Sequence, residues 1–144
     1  MTAMTATPAR QYYMVLSEAC PEVMGPVREV VRVYLRLWSK SELSPLAELG
    51  VTELLTNVHK HTFGACELLV RETADGITVE VTDFDSTLPV VREPTEGEEN
   101  GRGLFLLSVL MEDLRFEPLL GGKRVWFRLR VSSPCHGDLP GTSN

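Results

Sequence analysis

The sequence predicts a two-layer α+β domain, a mostly antiparallel sheet with helices on one face. Three observations carry that reading. Apolar residues recur at helical spacing through two segments between residues 26 and 61. The period then changes to two in CELLVRE (66–72) and ITVEVTD (77–83), which flank the turn signal Ala74-Asp75-Gly76. A last alternating run, RVWFRLRV (124–131), follows Gly121-Gly122. Hairpins set apart from helices are the pattern of α+β packing.

In chain order, YYMVLS (12–17) is rich in aromatic and β-branched residues and suits a first strand. The first helix carries Pro26 in its first turn. Its buried side is Val27, Val30, Val31, Tyr34, Leu35 and Trp38, opposite Arg28, Glu29, Arg32 and Arg36. A second helix starts near Ser44-Pro45, a capping residue followed by proline. Ala47, Val51, Leu54, Leu55 and Val58 form its apolar stripe, and it ends before Gly64, which can take a left-handed helix stop.

In the hairpin, Ile77, Val79 and Val81 face the core while Thr78, Glu80 and Thr82 face the other way. Residues 86–102 hold Pro89, Pro94, Gly97 and Gly101 among acids at 93, 96, 98 and 99. So long a loop in a compact domain is a functional lid or a disordered segment. A third helix is predicted from Gly103, with Leu104, Leu107, Met111 and Leu114 on one side, then a short strand near Leu114–Pro118. The last strand turns Val125, Phe127, Leu129 and Val131 to one face, giving the order β-α-α-β-β-loop-α-β. The domain is expected over 11–131, with disordered ends at 1–10 and 132–144.

The 144 residues suit one domain with one core, and 43% hydrophobic content is ordinary for a globular protein. A net charge of −6 argues against direct nucleic-acid binding, which usually needs a basic face. No apolar run approaches the roughly 20 residues of a membrane span. The start, MTAMTATPAR, lacks the basic-then-apolar pattern of a secretory signal. The expectation is a cytoplasmic protein without a membrane partner. Cys20, Cys66 and Cys135 are odd in number and form no CxxC pair, so neither a disulfide framework nor a zinc ribbon is indicated.

Chemistry gathers at a few places. Glu53, Asn57 and His61 stand four apart on the second helix. Such positions lie about 40° apart around the axis, so the three form one polar ridge. The ridge is either a solvated face or one wall of a site. His59 points roughly 200° away from His61, which disfavours a shared metal, and His59 and Lys60 are read as outside the site.

Asp83 ends an apolar strand, either as a turn cap or as an acceptor for an exocyclic amine such as that of adenine. Asn100-Gly101-Arg102-Gly103-Leu104 joins the lid to a helix, where glycines, a helix N-terminus and an arginine can meet an anion. Gly121-Gly122-Lys123-Arg124 is a basic hairpin turn or a cation placed near a phosphate.

Together and in this order, these motifs resemble the GHKL (Bergerat-type) ATP-binding fold over residues 11–131. The small size and the lack of a phospho-acceptor histidine domain resemble the bacterial anti-sigma-factor serine/threonine kinases. That resemblance implies the cofactors ATP and Mg²⁺ and a set of roles. Glu53 is the implied general base toward the attacking hydroxyl. Asn57 holds magnesium through its amide oxygen, and Asp83 binds the adenine amine. Gly101, Arg102 and Gly103, with Leu104 completing the motif, wrap the triphosphate. Lys123 sits near the site's far edge.

These roles are chemically coherent, because phosphoryl transfer needs positioning and charge neutralisation above all, and magnesium takes oxygen ligands and keeps several waters. The implied partners are an alternative sigma factor, a small anti-anti-sigma (STAS-type) substrate protein and a second copy in a homodimer. The sequence departs from the family's D-x-G pattern at Asp83-Phe84-Asp85, which replaces a glycine with a negative charge. The alternative expectation is a catalytically weak or inactive binding module acting as a partner-switching adaptor.

Overall fold

The computed structural model describes residues 9–62, 64–85, 111 and 113–132. Within them the chain forms β1 (Gln11–Leu16), α1 (Pro21–Leu37), a 3₁₀ turn (Ser41–Leu43) and α2 (Ser44–His61). These are followed by β2 (Cys66–Thr73), β3 (Gly76–Asp83), β4 (Arg115–Leu119) and β5 (Gly122–Arg130). The five strands make one sheet in the order β1-β2-β3-β5-β4, with every neighbouring pair antiparallel. This is the α+β architecture that the change of period predicts.

Register explains where the core lies. Tyr12 pairs with Val70, Val70 with Val79, and Val79 with Phe127, so these side chains share the helix-facing side of the sheet. Val70, Val79 and Phe127 are fully buried there. The two helices supply the second layer through Val27, Val31, Leu35 and Trp38 on α1 and Ala47, Val51, Leu54, Leu55 and Val58 on α2. Each fully buried Leu or Val contributes about 1.5–3 kcal/mol through the hydrophobic effect. The other face of the sheet carries Tyr13, Leu69, Glu80 and Trp126 in one row, with Tyr13 exposed.

Several boundaries differ from expectation, each for a physical reason. α1 begins at Pro21, well before Pro26. Pro21 uses the first helical position, where the missing N–H costs nothing, and Pro26 sits inside the helix, where one ladder hydrogen bond is lost. Ser44 is the first residue of α2 rather than its cap, because the 3₁₀ turn leads straight in. Its hydroxyl donates to Glu48 Oε2 at 2.6 Å.

Met111, Asp113 and Leu114 lie in no helix, so a third helix does not reach Leu114; that residue leads directly into β4. Met111 and Leu114 still pack on the core. The rest of the expected lid and third helix, residues 86–110, lies outside the described residues.

The fold also begins earlier than expected at its N-terminal end. The Arg10 carbonyl accepts from the Glu72 N–H at 2.8 Å, and its guanidinium donates to both Glu72 carboxylate oxygens at 2.7 and 2.9 Å. Lys40 Nζ adds a bond to Glu72 Oε2 at 2.6 Å. At the other end, the Ser132 N–H donates to Glu42 Oε2 at 3.2 Å. The Arg10 hydrogen bonds, followed by that from Lys40, hold the Glu72 carboxyl at about 2, well below its usual range.

A depressed carboxylate stabilises the fold above its unfolded-state pKa and loses that effect as pH falls through the folded value. Glu72→Gln is therefore expected to be less stable than wild type above about pH 4.3. The gap in urea midpoint should shrink between there and about pH 2. A gap that stays constant over that window refutes the latch.

Gly50 sits where α2 crosses β5. A Cβ there would press on the Phe127 ring, 2.6 Å from Cε2, and would lie 3.2 Å from Met111 Cε. Helix propensity alone would make Gly50→Ala more stable by about 1 kcal/mol. Phe127 is fully buried and cannot swing away, so overpacking by about 1–3 kcal/mol is expected to win. Urea unfolding of Gly50→Ala tests this, and a gain in stability contradicts it.

Candidate functional site

The first wall of the site is the polar ridge on α2. Glu53 and Asn57 are half-buried, and His61, the last helical residue, is exposed. Burial pushes the Glu53 carboxyl above the usual carboxylate range, and the Lys60 cation opposes that shift. Lys60, read from the sequence as outside the site, is exposed and lies near the line of the ridge. Two helical turns separate it from Glu53, leaving the pair about 20° apart around the axis, closer than the four-residue steps of the ridge itself. The alignment was legible in the sequence as the seven-residue interval.

His59, Lys60 and His61 put positive or titratable groups at the C-terminal, partly negative end of the helix dipole. With Ser17, Glu18 and Gly64 they line a depression of about 540 Å³ where the β1–α1 connection meets the end of α2. His59 stays off the Glu53 ridge but does line this neighbouring hollow.

The second wall is the end of β3. Asp83 is 2% exposed and Lys123, its register partner on β5, is 5% exposed. Lys123 Nζ donates to Asp83 Oδ1 at 3.1 Å, lies 3.0 Å from Oδ2, and donates to the Asp85 carbonyl at 3.0 Å. Two of the three ammonium donors are thus used and the Oδ2 contact is an ion pair, so Lys123 is held at the β3 end and turned away from solvent. A buried carboxylate without such a partner would carry a desolvation penalty of several kcal/mol.

Two glycines make this approach possible. Gly121, at φ +79°, turns the chain between β4 and β5. At Gly122, a Cβ would collide with the Asp83 carbonyl oxygen and lie 3.2 Å from Phe84 Cα.

Asp85 has a definite place in this wall. Its N–H donates to Asp83 Oδ1 at 2.9 Å. Ser39 is the only described non-glycine residue with positive φ, so the backbone at Asp85 does not demand glycine. Cys66 pairs with Asp83 across β2–β3. Burial, then the Asp83 charge, push its thiol up to about 11, so it stays protonated.

Both walls lie on the helix-covered side of the sheet: Asp83 continues the inward alternation of Val79 and Val81, and α2 packs against β3 and β5. Gly101, Arg102, Gly103 and Leu104 lie outside the described residues.

The residues fit the groups that the sequence motifs imply. Asn57 offers an amide oxygen, a hard donor suited to magnesium, which keeps most of its shell as water and ligand oxygens. Among the described residues no three His, Cys, Asp or Glu side chains cluster to hold a metal. A carboxylate offers about four acceptor positions, and the hydrogen bonds from Lys123 and Asp85 use two at Asp83, both on Oδ1. Oδ2, beside the Lys123 cation, is left to accept from an N–H donor.

A five-stranded antiparallel sheet covered on one face by two helices is the α+β frame of an ATPase-type domain. The histidine kinase-like ATPase domain model matches residues 17–129, and the chain belongs to that family. The fold is thus that of the GHKL ATPases, and the matched span holds every candidate residue from Glu53 to Lys123. No curated protein matches the chain. Among the described residues no helix is long and apolar enough to cross a membrane.

The ion pair makes a sharp prediction. Asp83→Ala leaves a buried ammonium uncompensated and is expected to cost about 3–5 kcal/mol in urea unfolding. Replacing both partners, Asp83→Leu with Lys123→Met, is expected to recover most of that loss. Equal losses in the single and double variants would show that the two charges are not coupled.

Proposed function

We propose that the protein is an anti-sigma factor with serine/threonine protein kinase activity. In this reading it binds ATP and Mg²⁺, phosphorylates a small anti-anti-sigma protein, and otherwise holds an alternative sigma factor inactive. The observation that carries the proposal is Glu53: an acid on the α2 ridge, beside Asn57, whose burial raises its proton affinity. A general base works best when its pKa is brought toward the working pH, and an ordinary surface glutamate is too weak a base for that.

In this reading Glu53 accepts the proton of the attacking serine or threonine hydroxyl. Asn57 supplies an oxygen for the magnesium that neutralises phosphate charge when bound. Asp83 receives the adenine amine at its remaining acceptor position. Lys60 keeps Glu53 ionised more of the time. Homodimerisation and a cytoplasmic location complete the proposal and rest on the resemblance to the anti-sigma kinases.

A second reading has its own observation. Lys123 already neutralises Asp83, and Asp85 adds negative charge at the same turn. That favours an adaptor that uses the fold to switch partners without catalysis.

Transfer from radiolabelled ATP to a candidate antagonist separates the two. Glu53→Gln is expected to retain ATP binding and lose transfer by at least about 100-fold. Asn57→Ala is expected to weaken ATP binding only when magnesium is present. Failure of wild type to bind millimolar ATP with magnesium would leave the adaptor standing and refute the kinase.

The pH dependence follows from the sign of the Glu53 shift. Transfer should rise with pH through a pKa above the ordinary carboxylate range. Lys60→Met removes the cation that opposes the shift, so its profile should move to higher pH. An unmoved profile counts against Glu53 as the base.

A further inference from the structure

Resting on the reading of Asp83 as the base-binding carboxylate, we infer that Lys123 is a positioning residue that sets purine selectivity. It does so by fixing which lone pair of Asp83 stays open. Lys123 Nζ donates to Oδ1 at 3.1 Å and to the Asp85 carbonyl at 3.0 Å, and forms an ion pair with Oδ2 at 3.0 Å. At 5% exposure the ammonium is held at the end of β3.

Asp83 in turn accepts from both Lys123 and the Asp85 N–H at Oδ1, while Oδ2 meets Lys123 as an ion-pair contact. Its open acceptor position is on Oδ2. The contacts from Lys123 and the Asp85 N–H hold the carboxylate in this orientation, on strands whose register places Asp83 opposite Lys123.

A single fixed, charged acceptor discriminates by chemistry. It takes the 6-amino group of adenine as a donor and repels the 6-carbonyl oxygen of hypoxanthine. Without the Lys123 charge the carboxylate would be free to turn or to take up a proton, and a protonated carboxyl donates as well as accepts. It would then tolerate the carbonyl. Lys123 thus acts through Asp83, without touching the nucleotide.

The test is titration calorimetry of the full chain with Mg-ADP and Mg-IDP, which differ at the 6-position. Wild type is expected to prefer ADP by roughly tenfold or more, the range for a hydrogen bond to a charged group. In folded Lys123→Met that preference should fall to within about threefold, with ADP binding weakened. Asn57→Ala, on the other wall, should weaken both ligands alike and leave the ratio intact.

A merely structural role for Lys123 would also leave the ratio intact, so an unchanged preference in folded Lys123→Met overturns the inference. Should that variant fail to fold, Lys123→Gln keeps a donor without the charge. Its preference is expected below wild type, and an unchanged value again overturns the inference. Wild type that binds neither nucleotide overturns the underlying reading of Asp83 and the inference with it. Wild type that binds both equally overturns selectivity at Asp83 alone.

Discussion

The buried pair between Asp83 and Lys123 is the constraint around which the site end of the molecule is arranged. Two charges at 2% and 5% exposure survive only because each neutralises the other and both are further hydrogen-bonded. Meeting that condition dictates the local sequence. β3 and β5 must pair with Asp83 opposite Lys123. Gly122 must lack a side chain for the strands to close, and Gly121 must turn the chain with a positive φ just before it. The segment after β3 must fold back so that Asp85 contributes both its N–H and its carbonyl. A buried ion pair adds little net stability over an apolar pair, which is why its retention here points to a requirement for a fixed charge at that spot.

The rest of the core supports this arrangement by holding α2 at a set height over the sheet. Gly50 lets the helix settle directly on the Phe127 ring, and Val51, Leu54, Leu55 and Val58 continue the contact along the helix. Close packing of this kind transmits small displacements, because interiors have few voids to absorb them. The Glu53–Asn57 ridge is therefore carried on the same rigid element that seals the hydrophobic layer. Partial burial on that helix raises the proton affinity of Glu53.

Much of the architecture could be read from the order of residues. Alternation in 66–83 and 124–131 locates β2, β3 and β5, and the apolar stripe of α2 is buried as its spacing predicts. Boundaries were harder. Pro21 and Pro26 both suit a helix start by local rules, and only the packing of the whole helix chooses between them. Met111 is buried and Leu114 partly buried without either being helical, since burial constrains chemistry more than backbone geometry. In the site, the acid and amide of the ridge were legible from a spacing of four. Lys60 lies two turns from Glu53, and the helix brings the two nearly into line.

By itself the sequence determined the type of most elements, the inward faces of β3 and β5 and the polar side chains carried on α2, because these follow from periods of 2 and 3.6 and from side-chain chemistry. The placement of Lys123 was decided only in three dimensions. Its place after two glycines is equally consistent with a solvent-facing cation and with a buried counter-ion. The choice depends on a strand register that joins residues forty positions apart, Asp83 and Lys123. Local sequence cannot encode such a long-range pairing, and burial then converts it into an electrostatic necessity.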